Sequence, residues 1–217
     1  AIRMIAPATA ASLIEVNRTI HGDLTTGVSV LADRGDGRRN HQVRFFDFSR
    51  TPEGVAANEW LVTRQFRLKG GRNEIIPDLV VFVNGIPLAV IECKSPKLGK
   101  EWRSEAIKQL RRYQEVSDED EWRERGAPRL FYYNLLMIGC CGQGACYGAV
   151  TTPSGFYLDW PEPYPLSKDA LAADRRLAAA MPRGLRAQEV TLYSLLARDN
   201  LLEFLRDFVI FEVEKGR

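Results

Sequence analysis

Residues 77–96 read PDLVVFVNGIPLAVIECKSP, and this stretch decides the fold of the chain. Two apolar runs, LVVFV and IPLAVI, flank the dipeptide Asn84-Gly85, which is typical of a tight turn between antiparallel strands. The pattern therefore predicts a hairpin of two strands, at 75–83 and 86–93. The second strand is apolar along almost its whole length, so we expect it in the centre of a sheet.

Three charged side chains meet at the open end of this hairpin. Asp78 lies in the first strand, and Glu92 and Lys94 lie at the end of the second, so the turn places them side by side. Alternate residues of a strand share a face, so Glu92 and Lys94 point to one side. We expect Cys93 to point the other way and to pack in the core. Because unpaired charges at an apolar edge are costly, the trio needs a reason to be there.

A magnesium site is the chemical reason that suits these residue types. Carboxylate oxygens are preferred ligands of Mg²⁺, so Asp78 and Glu92 are the candidate metal ligands, and Mn²⁺ is a candidate substitute. Lys94 is the candidate for positioning the attacking water or for stabilising charge on a phosphate. A metal here would polarise the phosphate and lower the pKa of a bound water. The trio therefore predicts metal-assisted phosphodiester hydrolysis, and a plain salt bridge at the sheet edge is the alternative.

The rest of the chain predicts an α/β fold, in which helices flank a central mixed sheet. The clearest helix is 101–116, because Trp102, Ala106, Leu110 and Tyr113 recur at helical spacing. We expect an α/β core at 1–166 and a helical extension at 167–217; further helices are predicted at 9–20, 167–180 and 190–208, further strands at 42–48, 58–69, 130–138 and 145–150, and loops at 33–40 and 152–165.

The net charge is only +2, but the basic residues are concentrated in one part of the chain. Residues 60–114 hold eleven Lys and Arg against five Asp and Glu, a net +6. Such a segment is typical of a protein that binds a polyanion, although a solvated face with scattered lysines is the alternative. The candidate phosphate contacts, which would give affinity without reading sequence, are Lys97, Lys100, Arg103, Lys108, Arg111 and Arg112.

The cysteines indicate a reducing compartment. Cys140, Cys141 and Cys146 lie within seven residues, which is unlike the spread pattern of a secreted disulfide framework. We expect free thiols in the cytoplasm. A metal cluster of these three is the alternative, although His21 and His41 lie far from them in sequence. No apolar run is long enough for a membrane span, and no signal-peptide pattern is present. Since the chain lacks an initiator Met, we expect that it starts inside a longer protein or that a leader was removed.

The run at 77–96 resembles the nuclease motif of the restriction subunit, also the motor subunit, of type I restriction-modification enzymes. That nuclease domain lies at the N-terminus of the subunit and belongs to the PD-(D/E)xK superfamily. The resemblance covers about residues 15–215 and is most specific over 58–113. Two features depart from the family pattern. Cys93 stands where a larger aliphatic residue is common, and the Gly- and Cys-rich segment 139–148 fits less closely.

The resemblance implies roles for five residues of this motif and the helix after it. Asp78, Glu92 and Lys94 match the metal-binding and catalytic residues of the family. Gln109 and Tyr113 match a Q-x-x-x-Y motif, which implies DNA contact or support of the site. These two are four apart on a helix and so share one face. Ordinary packing of the tyrosine beside a surface glutamine is the alternative.

Some nucleases of this superfamily use a further acidic residue from a helix before the sheet. Glu15 is the candidate here, and Glu59 and Asp47 are weaker candidates. A surface carboxylate without a catalytic role is the alternative for each.

The resemblance implies a Mg²⁺-dependent endonuclease domain that cuts double-stranded DNA in restriction of foreign DNA. The sequence has no GxxxxGK[ST] phosphate loop, so ATP hydrolysis would belong to a translocating motor elsewhere in the full-length subunit. The implied partners are a methyltransferase subunit and a specificity subunit, and no membrane. The alternatives are a repair or recombination nuclease of the same superfamily and a non-catalytic module for DNA binding or assembly.

Overall fold

The computed structural model of the chain describes residues 12–35, 37–49, 51, 53, 57–70, 73–116, 124–181 and 184–212. Its strands are β1 (Val28–Asp33), β2 (Arg38–Val43), β3 (Trp60–Arg64), β4 (Leu68–Lys69), β5 (Glu74–Ile75), β6 (Leu79–Val83), β7 (Ile86–Cys93), β8 (Leu136–Cys140) and β9 (Ala145–Gly148). Its α-helices are α1 (Leu13–Thr26), α2 (Trp102–Gln114), α3 (Lys168–Ala173), α4 (Arg175–Ala180), α5 (Ala187–Leu196) and α6 (Arg198–Asp207). Short 3-10 helices lie at Pro96–Glu101, Pro128–Tyr132 and Ser154–Phe156.

Five strands form the central mixed sheet, in the order β3-β6-β7-β8-β9. β6 and β7 are the predicted antiparallel hairpin, and Asn84 and Gly85 adopt the left-handed conformations, with φ of 51° and 76°, that its tight turn requires. β7 lies in the middle of the sheet, and all its residues except Cys93 are buried. β7 and β8 are parallel and are connected through α2. The predicted α/β class with a mixed sheet between helices is confirmed.

Helices cover both faces of this sheet. On one face, Leu110 of α2 packs in a buried cluster with Val90 of β7. On the other face, Ile20 of α1 and Leu201 of α6 belong to a second cluster, which includes Ile91. Neighbouring residues of β7 thus enter opposite clusters, as the pleat of a strand dictates.

Two predicted strands are each divided in the structure. The predicted strand 58–69 is β3 and β4, because Gln65 between them turns into the left-handed region with φ of 48°. The predicted strand 75–83 is β5 and β6. Pro77 lies at this break and has no N–H with which to continue a ladder.

The predicted strand 42–48 is wrong, and the predicted loop 33–40 is only the tip of a longer hairpin. β1 and β2 pair along their whole length over 28–43. Asp33 stabilises the tip, since its Oδ1 accepts the N–H groups of Gly35 and Gly37 at 2.8 and 3.2 Å. The alternation that marks strands is weak in β2, which is rich in exposed polar residues.

The predicted strand 130–138 is wrong in its first half, where the chain forms a 3-10 helix and the strand begins only at Leu136. Pro128 opens this helix at a position where its missing N–H costs nothing. The buried side chain of Asn17 then donates to the carbonyls of Phe131 and Tyr132 at 3.1 and 3.2 Å. These carbonyls are therefore bound by a side chain instead of a neighbouring strand.

The remaining elements follow the predictions more closely. The predicted helix 9–20 overlaps α1, which extends further to Thr26 and has Ser12 as the cap of a capping box; residues 9–11 lie outside the described residues. α2 and β9 confirm the helix and strand predicted at 101–116 and 145–150, and residues 152–165 are irregular apart from one 3-10 turn. Each predicted C-terminal helix is two helices, divided at Asp174 and at Ala197. None of the described helices is long and apolar enough to cross a membrane.

Candidate active site

Asp78 lies at the break between β5 and β6 and is held through both its backbone and its side chain. Its carbonyl accepts the N–H of Gln65 at 2.8 Å, and its Oδ2 accepts the N–H of Cys93 at 2.8 Å. The second contact fastens the carboxylate to the last residue of β7. Asp78 thus lies beside the segment that carries Glu92 and Lys94, as the hairpin predicts.

Glu92 is a buried carboxylate on the α2 face of β7, with 2% of its surface exposed. Its Oε1 accepts a hydrogen bond from Lys94 Nζ at 2.9 Å, and its Oε2 accepts one from the Tyr113 hydroxyl at 3.3 Å. Burial raises the pKa of Glu92, and the negative charge of Asp78 raises it further, against the opposing hydrogen bond from Lys94. The loss of hydration on burial therefore outweighs the positive charge that Lys94 supplies.

Lys94 joins the end of β7 to the helix above it. Its backbone N–H donates to the carbonyl of Cys140 at 2.7 Å, which extends the pairing with β8 by one residue. Its Nζ donates to Glu92 and also to Gln109 Oε1, at 2.5 Å. The ammonium group thus bridges strand and helix, and 17% of the side chain is exposed.

Gln109 and Tyr113 of α2 complete a closed ring of hydrogen bonds with Glu92 and Lys94. Gln109 Nε2 donates to the Tyr113 hydroxyl at 2.5 Å. That hydroxyl lies 3.3 Å both from Glu92 Oε2 and from the carbonyl of Ile76, its two candidate acceptors. Burial raises the pKa of Tyr113 to about 12, so the phenol is neutral near pH 7. The structure thus brings four of the predicted site residues into direct contact.

Two glycines that sequence reasoning left unassigned allow α2 to approach this closely. Gly139 of β8 is paired with Glu92, and a Cβ built there would lie 2.8 Å from the Cβ of Ala106. A Cβ on Gly144 would lie 3.1 Å from the ring of Trp102. The glycine content of segment 139–148 was the available signal, but its meaning depends on the helix that packs over it.

The prediction that Cys93 packs in the core is wrong. Cys93 is exposed, because it is the last residue of β7 and extends past the buried part of the strand. Its Sγ lies 3.5 Å from Sγ of Cys140. Cys140, Cys141 and Cys146 are free, buried cysteines. Over the described part of the chain, no group of three or more His, Cys, Asp or Glu is arranged to hold a metal ion.

The other acidic candidates have partners elsewhere. The Glu15 carboxylate accepts hydrogen bonds from the backbone and the hydroxyl of Ser12, as part of the cap of α1. Glu59 pairs through its backbone with Asn84, at the turn end of the β6–β7 hairpin. Asp47 binds the N–H of Ser49. Among the described residues, none of the three acids has a hydrogen bond or ion pair with the trio.

The basic candidates divide into held and exposed side chains. Arg103 pairs with Asp159, and Arg111 donates to the carbonyl of Thr152 at 2.6 Å, so both fasten the loop at 152–165 to α2. The Arg112 guanidinium lies 5.0 Å from the centre of the Tyr113 ring. The exposed members of the set are Lys97, Lys100 and Lys108.

Comparison with known proteins places this chain in a family. Residues 2–156 match the family described as the N terminus of the type I restriction enzyme R protein. The chain is 29% identical over 204 residues to the endonuclease subunit of type I restriction enzyme HindI from Haemophilus influenzae, a match covering 92% of this chain and 17% of that protein. Two Methanocaldococcus jannaschii proteins, provisionally named as endonuclease subunits of type I restriction enzymes MjaIXP and MjaVIIIP, are 25% and 27% identical over 88% and 89% of this chain.

The chain spans less than a fifth of the length of these relatives, since the matches cover 18%, 16% and 17% of them. The family match, by contrast, covers most of this chain, including every member of the trio and of the hydrogen-bonded ring. The chain belongs to the family of type I restriction enzyme R protein N-terminal domains.

Proposed function

We propose that this chain is the nuclease domain of a type I restriction enzyme, a Mg²⁺-dependent endonuclease that cuts double-stranded DNA. The observation that carries the proposal is the meeting of Asp78, Glu92 and Lys94 at the open end of one hairpin. Relatives named as type I restriction endonuclease subunits support it. A structural salt bridge alone would not need the second carboxylate, which makes the burial of Glu92 more costly.

The donor set of the trio fits a magnesium ion. Asp78 and Glu92 would hold the ion, since both offer carboxylate oxygens and Asp78 Oδ1 accepts no hydrogen bond from any described residue. Burial and the charge of Asp78 raise the pKa of Glu92, and a divalent cation between the two carboxylates would offset both effects. When bound, the ion would polarise the scissile phosphate and acidify a coordinated water. Mn²⁺ accepts the same oxygen ligands.

Lys94 is the residue that we place against the reacting groups. An ammonium group has three donors, and two of them engage Glu92 and Gln109. The third points to no acceptor among the described residues and is available for a phosphate oxygen or the attacking water. Because these two hydrogen bonds already fix the Lys94 side chain, substrate binding would cost little further conformational entropy there.

Gln109 and Tyr113 have a positioning role in this proposal. Tyr113 is 2% exposed, so its hydroxyl is shielded from DNA and acts on Glu92 instead. Gln109 holds the Lys94 ammonium on one side and the Tyr113 hydroxyl on the other. The alternative of incidental packing does not account for a ring in which every member contacts the next.

The family and the charge pattern support a proposal for the substrate and the partners. The exposed Lys97, Lys100 and Lys108 would contact phosphates beside the site and give affinity without sequence specificity. In the intact enzyme, an ATP-driven motor in the same subunit would translocate DNA, and methyltransferase and specificity subunits would choose the target. Restriction of foreign DNA places this work in the cytoplasm.

Two other functions share parts of the evidence. A repair or recombination nuclease of the same superfamily would use the same trio, but the relatives are named as restriction subunits. A non-catalytic DNA-binding module would have no use for Asp78 and Glu92 as a pair. Binding of a divalent cation by that pair therefore separates the nucleases from the module.

The test is Mn²⁺ binding to the 217-residue chain, measured as the decrease of the electron paramagnetic resonance signal of the free ion. We expect Asp78→Asn to weaken binding at least about tenfold, because it removes one of two anionic ligands. Asp47→Asn is the matched control, since Asp47 is an exposed aspartate that caps its own loop. Equal binding by wild type and Asp78→Asn would overturn the metal site.

A further inference from the structure

Cys93 and Cys140 form a pair of thiols beside the candidate active site that the proposed chemistry does not use. They are direct partners in the parallel register of β7 and β8, and their Sγ atoms lie 3.5 Å apart. Both are free, one exposed and the other buried. An incoming reagent therefore reaches Cys93 first, and the partner thiol is already in contact with it.

The backbone geometry suits a disulfide between these two residues. Neighbouring strands lie about 4.7–4.9 Å apart, which falls within the Cα separations of about 4.4–6.8 Å found in disulfides. The sulfur atoms must approach by only about 1.5 Å to reach the S–S bond length of about 2.05 Å. Cys141 and Cys146 are buried, and neither forms a hydrogen bond with the sulfur of Cys93.

We propose that Cys93 and Cys140 are a reversible modification site, which a small external disulfide of the glutathione class oxidises. The Cys93 thiolate attacks one sulfur of the external disulfide, whose S–S bond breaks to release one thiol. The Cys140 thiolate then attacks Sγ of Cys93 in the mixed disulfide and expels the second thiol. The cysteine pair loses two electrons and two protons, and the external disulfide gains both to become two thiols.

The bond would act on the candidate active site through the backbone of the same two residues. The N–H of Cys93 holds Asp78 Oδ2, and the carbonyl of Cys140 holds the N–H of Lys94. A covalent link between the two side chains would restrain the strand ends that position both charged residues. The expected effect on DNA cleavage rests on the proposed nuclease function, whereas formation of the disulfide does not.

The test of the disulfide is intact mass spectrometry of the 217-residue chain after incubation with oxidised glutathione at mildly alkaline pH. Wild type is expected to lose about 2 Da and to regain it with dithiothreitol, because two thiol hydrogens leave. Cys93→Ser and Cys140→Ser should not show this loss, while the matched controls Cys141→Ser and Cys146→Ser should. Persistence of the loss in Cys140→Ser, or its absence in wild type, would overturn the assignment.

A second measurement guards against a Cys140→Ser variant that does not fold. After oxidation and denaturation, wild type should react with maleimide at only two of its four cysteines. Cys93→Ser, which changes an exposed residue, should after the same treatment react at all three of its remaining cysteines. For the consequence, oxidised and reduced wild-type restriction complex are compared in plasmid cleavage, with a loss of at least about tenfold expected on oxidation. A disulfide that forms without changing cleavage refutes the switch alone, whereas a reduced complex that fails to cut refutes the proposed function.

Discussion

At the scale of single residues, the candidate site is a problem of charge in a space largely closed to water. Glu92 is almost fully buried, and Lys94 supplies the positive charge that it contacts. Ionised groups lose hydration on burial, and the hydrogen bonds from Lys94 and the Tyr113 hydroxyl offset only part of that cost. Burial of the Glu92 carboxylate is therefore a cost to the fold, and a bound cation would reduce that cost.

The raised pKa of Glu92 makes the stability of the chain depend on pH. A carboxyl group whose pKa is higher in the folded than in the unfolded state stabilises the fold below its unfolded pKa, near 4.5, and this contribution is lost as pH rises through the folded pKa. Relative to Glu92→Gln, wild type should thus lose free energy of unfolding as pH rises above about 4.5. Urea denaturation of both chains without divalent cations, from pH 4 to pH 8, measures this; a constant difference would contradict it.

Tyr113→Phe removes one hydroxyl from the ring and leaves the packing in place. We expect a loss of about 1 kcal/mol in the free energy of unfolding, because Glu92 loses a donor and Gln109 an acceptor. We also expect cleavage by the intact enzyme to fall about tenfold as Glu92 is freed. The control is Tyr147→Phe, since the Tyr147 hydroxyl forms no hydrogen bond with any described residue. Equal effects of the two substitutions on cleavage would argue against the positioning role of Tyr113.

The residues of the candidate site can be predicted from the sequence only where they lie close together along the chain. Asp78, Glu92 and Lys94 were predicted because one hairpin turn determines where they meet. The ring with Gln109 and Tyr113 was not, because it depends on how α2 packs over the strand ends, which no local pattern encodes. The resemblance to a known family pointed to this pair, and the structure supplies its contacts.

At the scale of elements, the position of α2 depends on two glycines over which the helix packs. Gly139 and Gly144 lie under Ala106 and Trp102, and the close approach at Gly139 brings the helix over Glu92. Sequence patterns predict α2 and β8 as individual elements, but they do not predict the distance between the two. The β1–β2 hairpin also escapes prediction, because β2 is an exposed polar strand. The 3-10 helix at 128–132 escapes it because its carbonyls bind Asn17, which is distant in sequence.

Gly139→Ala should therefore push α2 away from the sheet. The added Cβ would lie 2.8 Å from that of Ala106, an overlap that we expect to cost about 1–3 kcal/mol of unfolding free energy. Ala106→Gly should recover part of this loss in the double variant, although glycine in a helix itself costs about 1 kcal/mol. Gly155→Ala is the control, since nothing lies within 4 Å of a Cβ built there. Additive effects of the two substitutions in urea denaturation would count against this contact.

At the scale of the whole molecule, the C-terminal helices are part of the packing of the sheet. Leu195 of α5 and Leu201 and Leu205 of α6 are buried in the same cluster as Ile91 and Ile138. The sequence predicts a core at 1–166 followed by an extension, because helical periodicity does not tell which surface a helix covers. We propose instead that the folding unit reaches through α6.

A chain that ends at residue 166 tests this extent. Removal of α5 and α6 would expose one face of the central sheet, and we expect the shortened chain to aggregate or to lose cooperative unfolding. A chain that ends at residue 212 is the control, because it keeps both helices. Cooperative unfolding of the shorter chain with the free energy of the longer one would restore the original boundary.

The central claim is that this domain holds the chemistry of DNA cleavage, with Lys94 at its centre. The most direct measurement compares plasmid cleavage by the complete restriction complex, with ATP and Mg²⁺, for wild type, Lys94→Ala and Lys97→Ala. Loss of cleavage by Lys94→Ala alone, with ATP hydrolysis retained in all three, is the predicted result. Cleavage by Lys94→Ala at the wild-type rate would contradict the account and favour the non-catalytic module.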